Sequence, residues 1–443
     1  MKYIVSGKEI GAIDDYTIDE IGISSLVLME KASMAVASKV VRLISKVDRV
    51  LVVVEGGNNG ADGLVVARLL HHMGYLVDVF YIKQIANASP QFEIQLGIVN
   101  KLMIPVYNKM PRKEYSLVVD GIFGVGLSRE IIKEHKRVID NLNSMDIIRV
   151  AIDIPSGIDA TTGNTLGVAF NADYTVTFGM IKRGMLYREG IEASGEITVA
   201  DIGYPDMAVN AVSPMTYGYD ETDLDRLPKR ISDSHKGTYG KVLIIAGSEN
   251  IAGAALFSAK AAYVTGAGLV KIITHVNNRT MLQTNIPEAL IHTYEKEEQA
   301  EKLLEEYIGW ADAIVIGPGL GTDAIAKNMV EYTISKAKVP VVVDADGLNV
   351  LADCMDILKS AQEKIILTPH IKEMSRMIKK DVDYVVNNKL EVARYITEEY
   401  NVVCVLKSDR SIVHMLKGKT YINISGNNGM ATGGSGDVLT GII

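Results

Sequence analysis

The sequence predicts an α/β protein of two domains, each a parallel sheet covered by helices. Three observations predict it. The 443 residues exceed what one hydrophobic core ordinarily organises. Short unbroken Val/Ile/Leu runs alternate with longer amphipathic stretches in both halves. The alternation lapses once, where Pro, Asp and Gly accumulate. A composition of 48% hydrophobic and 23% charged residues is that of an ordinary soluble globular chain.

Taken in order, the amphipathic lead-in DDYTIDEIGISSLVLMEKASMAVASKVV reads as one or two helices. RVLVVVEG follows as a buried strand and GLVVARLLHHMG as a helix. YLVDVFYI, SLVVDGIFG and IRVAIDIPSG are further strands. Their continuous apolar runs, rather than alternating ones, mean that both sheet faces are covered. Periodicity fades through YPDMAVNAVSPMTYGYDETDLDRLPKRISDSHKG, which places a boundary near residue 212 and gives domains 1–212 and 213–443. Alternation then resumes with KVLIIAGS, the Ala-rich helix AGAALFSAKAAYVTGAG, LVKIITH, ADAIVIGPG, VPVVVDADG, KIILTPH and VVCVLK. The halves share this architecture without a residue-level repeat.

A formal charge of -8 opposes broad nucleic-acid or anionic-membrane binding while leaving room for a local basic pocket, so small molecules are the expected partners. Cys354 and Cys404 sit in apolar surroundings without metal-ligand spacing and are expected in the core. The N-terminus becomes charged too early for a secretory signal, and no apolar run approaches membrane-spanning length. A reduced, cytoplasmic setting and a homo-oligomer are expected.

The chain closes on GNNGMATGGSGDVLTGII. Gly433 to Asp437 precede a helix expected to begin at Val438. Glycines there let backbone amides turn toward a ligand, and a helix start adds partial positive charge, which together suit phosphate. Asp437 beside it could take a proton from an attacking substrate hydroxyl. The alternative is a Gly-rich turn in which Asp437 caps the helix. GPGLG, DADGLNVL and LTPHIKEM each follow a strand, where ligands of open α/β sheets gather. His370 is either a satisfied structural residue or a ligand contact, and Asp344 and Asp346 either line the crevice or cap the next helix. GAGLV is followed by a strand, against a dinucleotide fingerprint, and no Walker A sequence occurs.

In the first half, VVVEGGNNGADGLVVARLL puts Asn58, Asn59 and Asp62 in a Gly-rich turn between strand and helix, either as ligand contacts or as caps. LVVDGIFGVGLSRE places Asp120 after a strand, and AIDIPSGID does the same for Asp153 and Ser156.

In the second half GSENIAGAALFSAKAAYVTGAGLV, IPEAL, GPGLG, DADGLNVLA, LTPHIKEM, VLKS and GNNGMATGGSGDVLTGI, in this order, resemble the dehydratase domain of the bifunctional NAD(P)H-hydrate repair enzymes. The resemblance implies a ribokinase-like fold. It also implies dehydration of the S hydrate of NADH or NADPH with ADP or ATP, through a phosphorylated intermediate, with magnesium bridging the phosphates. It makes Asp437 the base, puts Ala254, Gly319 and His370 against the hydrate, and lays Lys407, Ser408, Asp409, Arg410, Ser411 and Gly436 beside the nucleotide. The chain reads Asn428 where the family usually has proline, which loosens that turn. The sequence ends at Ile443, so a helix opening at Val438 needs tertiary packing to hold its shape.

The segments of the first half, with LMEKA, resemble the epimerase domain of the same enzymes, a Rossmann-like parallel-sheet domain that interconverts the R and S hydrates. By that resemblance Asn59, Asp120 and Ser156 hold potassium, a hard cation suited to oxygen ligands. Asn58, Asn59, Gly60, Ala61, Asp62, Gly124, Val125, Gly126, Leu127, Ser128, Arg129, Glu130 and Asp153 contact the hydrate. Asp120 either transfers the proton of epimerisation or only binds metal. Ala61 and Val125 stand where the family has Gly and Thr, and both are expected to be tolerated. Two other readings are a ribokinase-like small-molecule kinase and a hydrate-binding protein without turnover.

Overall fold

In a computed structural model, which describes residues 2–82, 88–426 and 428–443, the chain divides into two compact units between Tyr217 and Gly218. In the first unit the strands Arg49–Val54, Leu76–Tyr81, Val106–Tyr107, Leu117–Gly121, Ile148–Ile152, Tyr174–Phe178 and Glu196–Ala200 all pair in parallel. The chain builds from Arg49–Val54 to one edge, returns, and builds from Leu117–Gly121 to the other, so strand order reverses between those two. Such a reversal opens a crevice beyond the carboxyl ends of the strands.

The valine run explains why Arg49–Val54 is central. Val50, Val52 and Val54 join one core with residues of the helices Ser25–Leu43 and Asn58–His72, while Leu51 and Val53 join another with Phe80, Ile139 and Leu142. The lead-in forms Gly7–Asp15, capped by the Ser6–Glu9 capping box, a π-helical turn at Tyr16–Glu20, and Ser25–Leu43. A short strand, Lys2–Val5, pairs in parallel with Ile181–Lys182.

In the second unit Lys241–Ile245, Leu269–His275, Leu290–Tyr294, Ala313–Ile316, Val341–Val343, Ile365–Leu367 and Val403–Leu406 form a parallel sheet, extended by the antiparallel strands Ile412–His414 and Thr420–Ile422. Order again reverses, between Lys241–Ile245 and Ala313–Ile316.

The last helix is Ser435–Ile442, beginning three residues before the expected Val438, with Gly434 as its cap at φ 88°. It docks against the Ala-rich helix Gly253–Thr265, so closely that a Cβ on Gly441 would lie 2.1 Å from the Ser258 carbonyl oxygen. The packing that a short terminal helix needs is thus supplied by alanines and glycine. Nearby, Asn428–Met430 forms a single 3-10 turn, while Asn427 of the same motif lies outside the described residues. The core expectation holds for Cys404, which is fully buried, but not for Cys354. That thiol is half-buried and donates to Val350 O at 3.4 Å.

Candidate active sites

In the first unit, the crevice at the strand reversal is a cleft of about 840 Å³. Asn58, Asn59, Asp62, Gly124, Val125, Gly126, Leu127, Ser128, Arg129 and Asp153 line it. Gly60, Ala61 and Glu130 are not among its lining residues. The expected Gly-rich turn at Asn58–Asp62 is instead the opening of the helix Asn58–His72, capped by Gly57. Helix and strand meet closely there, since a Cβ on Gly60 would fall 1.7 Å from Glu55 O. Only glycine permits that approach. Ala61 has ordinary helical geometry, its amide donating to Gly57 O at 3.0 Å. Val125 packs on two apolar clusters.

Asp120 and Ser156 lie beneath the cleft, both fully buried. Asp120 Oδ1 accepts from Ser156 Oγ at 2.6 Å and Ile122 N at 3.1 Å, and Oδ2 accepts from Ser156 N at 2.8 Å. Burial pushes the Asp120 carboxyl up to about 6 against these donors. Asn59 is buried with its side-chain nitrogen unpartnered among the described residues. Asp153 adopts φ 65°. Its Oδ1 takes Phe178 N at 2.9 Å and the ammonium of the fully buried Lys182.

Sequence reasoning missed several neighbours. Lys182 has no motif around it and reaches Asp153 only through the tertiary fold. Asp14, on the first helix, accepts from Tyr204 Oη at 2.5 Å and lines the cleft. Glu55, at the end of the central strand, hydrogen-bonds His135 and also lines the cleft. The polar residue ending VVVEG was the one available signal.

In the second unit the site gathers at four strand ends. Gly317 adopts φ 117°, and a Cβ there would lie 2.1 Å from Asp344 O. A Cβ on Gly319 would lie 3.1 Å from the Ala254 methyl, so those two expected contacts share one wall. Asp344 is not a cap. It is buried, with Oδ1 receiving Lys407 Nζ at 2.6 Å and Oδ2 receiving Thr440 Oγ1 at 2.6 Å. Asp346 likewise does not cap its helix, whose cap is Ala345; it accepts from Gly321 N at 2.9 Å and Asn349 Nδ2 at 3.2 Å.

Asp437 lies in the first turn of Ser435–Ile442, whose cap is Gly434, so it is not the helix cap. Its carbonyl accepts from Ser258 Oγ at 3.0 Å. Its carboxyl sits above the usual range, chiefly from desolvation and then from Asp344, with Lys407 opposing. Gly436 packs beside the Lys407–Asp344 pair, 3.5 Å from Lys407 Nζ to where its Cβ would be. Amides of a helix's first turn lack intrahelical acceptors, and of these Ser435 N donates to Thr432 O at 3.4 Å.

His370 is a structural cap: Nδ1 accepts from Lys372 N at 3.0 Å and Glu373 N at 3.2 Å, while its own amide donates to Glu373 Oε2 at 2.8 Å. An accepting Nδ1 makes the ring neutral, and desolvation and Lys407 hold its pKa down. Its Nε2 lies 3.4 Å from Glu373 Oε1, and the side chain as a whole is half exposed. Burial pushes Glu373 up to about 7. In the stretch from Lys407 to Ser411, Asp409 pairs with Lys389 at 3.3 Å and Arg410 donates to Ile424 O, so both hold the loop. Ser408 Oγ is buried without a partner among the described residues.

Against known proteins, a family described as NAD(P)H-hydrate dehydratase matches residues 242–443, and one described as YjeF-related protein N-terminus matches 25–184. A bifunctional NAD(P)H-hydrate repair enzyme of Thermofilum pendens is 35% identical, covering 98% of this chain and 85% of the relative. One from Moorella thermoacetica is 34% identical, covering 100% and 87%. The solved ADP/ATP-dependent NAD(P)H-hydrate dehydratase from Bacillus subtilis, co-crystallised with ATP and magnesium, is 33% identical over 48% of this chain and 74% of that one, with a TM-score of 0.43.

Proposed function

The chain belongs to the bifunctional NAD(P)H-hydrate repair enzymes, and from that premise we propose how its two clefts divide the work. The enzyme epimerises the R and S hydrates of NADH and NADPH and dehydrates the S form with ADP or ATP. We assign epimerisation to residues 1–212 and dehydration to 213–443.

Hydration of an enamine puts the hydroxyl on the carbon bonded to nitrogen. In our reading Asp437 takes the proton of that hydroxyl as its oxygen attacks the terminal phosphoryl of the nucleotide, which the amides of Gly436 and Asp437 hold. The phosphate ester is a good leaving group, and its elimination restores the double bond. The observation that carries this is the position of Asp437 inside the first turn of Ser435–Ile442, beside the Lys407–Asp344 pair that Gly436 approaches. Ala254, Gly319 and His370 contact the hydrate, and Ser408 and Ser411 the nucleotide. Magnesium would arrive with the nucleotide and offset the charge of its phosphates.

Asn59, Asp120 and Ser156 hold potassium. They fit it as an all-oxygen set with a single carboxylate, Asp120 and Ser156 already lying 2.6 Å apart. The ion would fix the loops that follow the strands ending at Val54 and Gly121. We place the enzyme in the cytoplasm, the setting that two free thiols suit.

The test supplies mixed hydrates and nucleotide to wild type and Asp437→Ala, following absorbance of the reduced nicotinamide. Wild type should restore absorbance and release inorganic phosphate; the variant should interconvert the hydrates without restoring absorbance. A stable phosphorylated product from wild type would instead make the chain a small-molecule kinase.

A further inference from the structure

Beside the main cleft of the first unit lies a slot of about 240 Å³, too small for a dinucleotide and roomy enough for one ring. The two cavities share Asp14, Asn58, Asp62, Val125, Asp153 and Phe178 in their walls. The slot is apolar on one side, with Ile10, Leu28, Met29 and Ala32, and acidic on the other. We propose that this slot seats the hydrated pyridine ring, and that Asp62 and Asp153 are the acid and base that invert its hydroxyl-bearing carbon. The proposal rests on the epimerase reading and deepens it.

The geometry separates the roles of the two carboxyls. Asp153 Oδ1 is filled by Lys182, Phe178 N and Thr177 Oγ1, the last at 3.3 Å, and no partner is seen for Oδ2 among the described residues. That oxygen is the open acceptor. Among the described residues Asp62 has no cation against it, and its one side-chain hydrogen bond is from Ser33 Oγ, at 3.5 Å to Oδ1. Asp14 is engaged by the Tyr204 hydroxyl. Three carboxyls, Asp14, Asp62 and Asp153, thus share one wall with a single buried ammonium, Lys182. They cannot all carry charge there, and the carboxyl without a strong donor is the one that keeps its proton. In agreement, desolvation, then Asp153 and then Asp14 hold Asp62 well above the ordinary carboxyl range. Asp120, the earlier candidate for proton transfer, lies outside both walls.

The step balances without a co-reactant. Asp62 gives its proton to the hydroxyl oxygen, the C–O bond breaks and water leaves, and the ring nitrogen's lone pair forms the C=N⁺ bond. A water adds to the opposite face of that carbon and loses a proton to Asp153. One water has left and one has entered. The proton now on Asp153 returns to Asp62 through solvent in the shared cavity, and the reverse inversion exchanges the two roles.

The experiment follows the R to S ratio of a purified R hydrate in ¹⁸O-labelled water for wild type, Asp62→Asn and Asp153→Asn. Dehydration of purified S hydrate serves as the check on folding. Wild type should take up label in step with inversion. Each variant should lose roughly 100-fold or more in the kcat of inversion, the scale of acid–base catalysis, with little change in KM and with dehydration intact. Either variant inverting near the wild-type rate, or wild type inverting without label, overturns the assignment. A wild type that does not invert R hydrate at all sinks the epimerase reading itself, a separately recognisable result.

Discussion

Asp437 acts as a base only when ionised, so whatever raises its pKa moves the loss of dehydration to higher pH. Desolvation is the first cause and the Asp344 charge the second, with Lys407 pulling the other way. Asp344→Asn removes the repulsion and releases Lys407 from its 2.6 Å ion pair to face Asp437. Both changes act in the same direction, favouring the ionised base. The acid limb of the dehydration pH profile is therefore expected to move to lower pH in this variant, whatever happens to its height. A limb that stays in place, or climbs, would remove Asp344 from the electrostatics of the base. The same carboxylate shows why residue-level sequence reasoning ran short. DADG after a strand looks equally like a helix cap, and only the meeting of Lys407 and Thr440 with Asp344 decides the matter, from positions far along the chain.

At the scale of elements, the terminal helix Ser435–Ile442 positions Asp437 only as well as it is docked. Gly441 permits that docking, because a Cβ there would lie 2.1 Å from Ser258 O and 2.9 Å from the Ala261 Cβ. Gly441→Ala forces the helix outward, at a cost of about 1–3 kcal/mol for overpacking. A displacement near 1 Å at the base is worth on the order of 100-fold in rate. Dehydration kcat should fall on that scale while epimerisation continues unchanged. Retained dehydration in a folded variant would show that Asp437 is held by something other than this contact. Most elements were legible in the sequence because they are local. The valine run RVLVVVEG specifies a strand covered on both faces, and the Ala-rich AGAALFSAKAAYVTGAG a helix that others can approach closely. The start of the terminal helix and the opening of Asn58–His72 were misjudged for a common reason. Glycines that read as loop in isolation are there to let a helix start pack against a strand end, as at Gly60, or a neighbouring ring, as at Gly434 over Phe257. Leu290–Tyr294, Ile412–His414 and Thr420–Ile422 carry mixed polar runs, so pairing with neighbouring strands rather than composition makes them strands.

For the whole molecule, each unit draws its candidate residues from its own strand reversal and its own carboxylates, and no assigned residue serves both reactions. The hydrate that links them is a small diffusible molecule. A chain inactivated at the first site, Asp62→Asn, should dehydrate purified S hydrate at the wild-type rate, yet on a mixed hydrate it should restore only the S share and then slow. Asp437→Ala should interconvert the hydrates and restore nothing. Mixed in one tube with nucleotide, the two variants should recover the full absorbance that neither reaches alone, because R hydrate inverted on one chain can leave and be dehydrated on another. The rate of the slow phase should then rise with the amount of Asp437→Ala chain, which supplies the inversion. Failure of the mixture, with each variant separately active as described, would mean that the hydrate does not pass through solution, and that the fusion of the two units is itself part of the reaction.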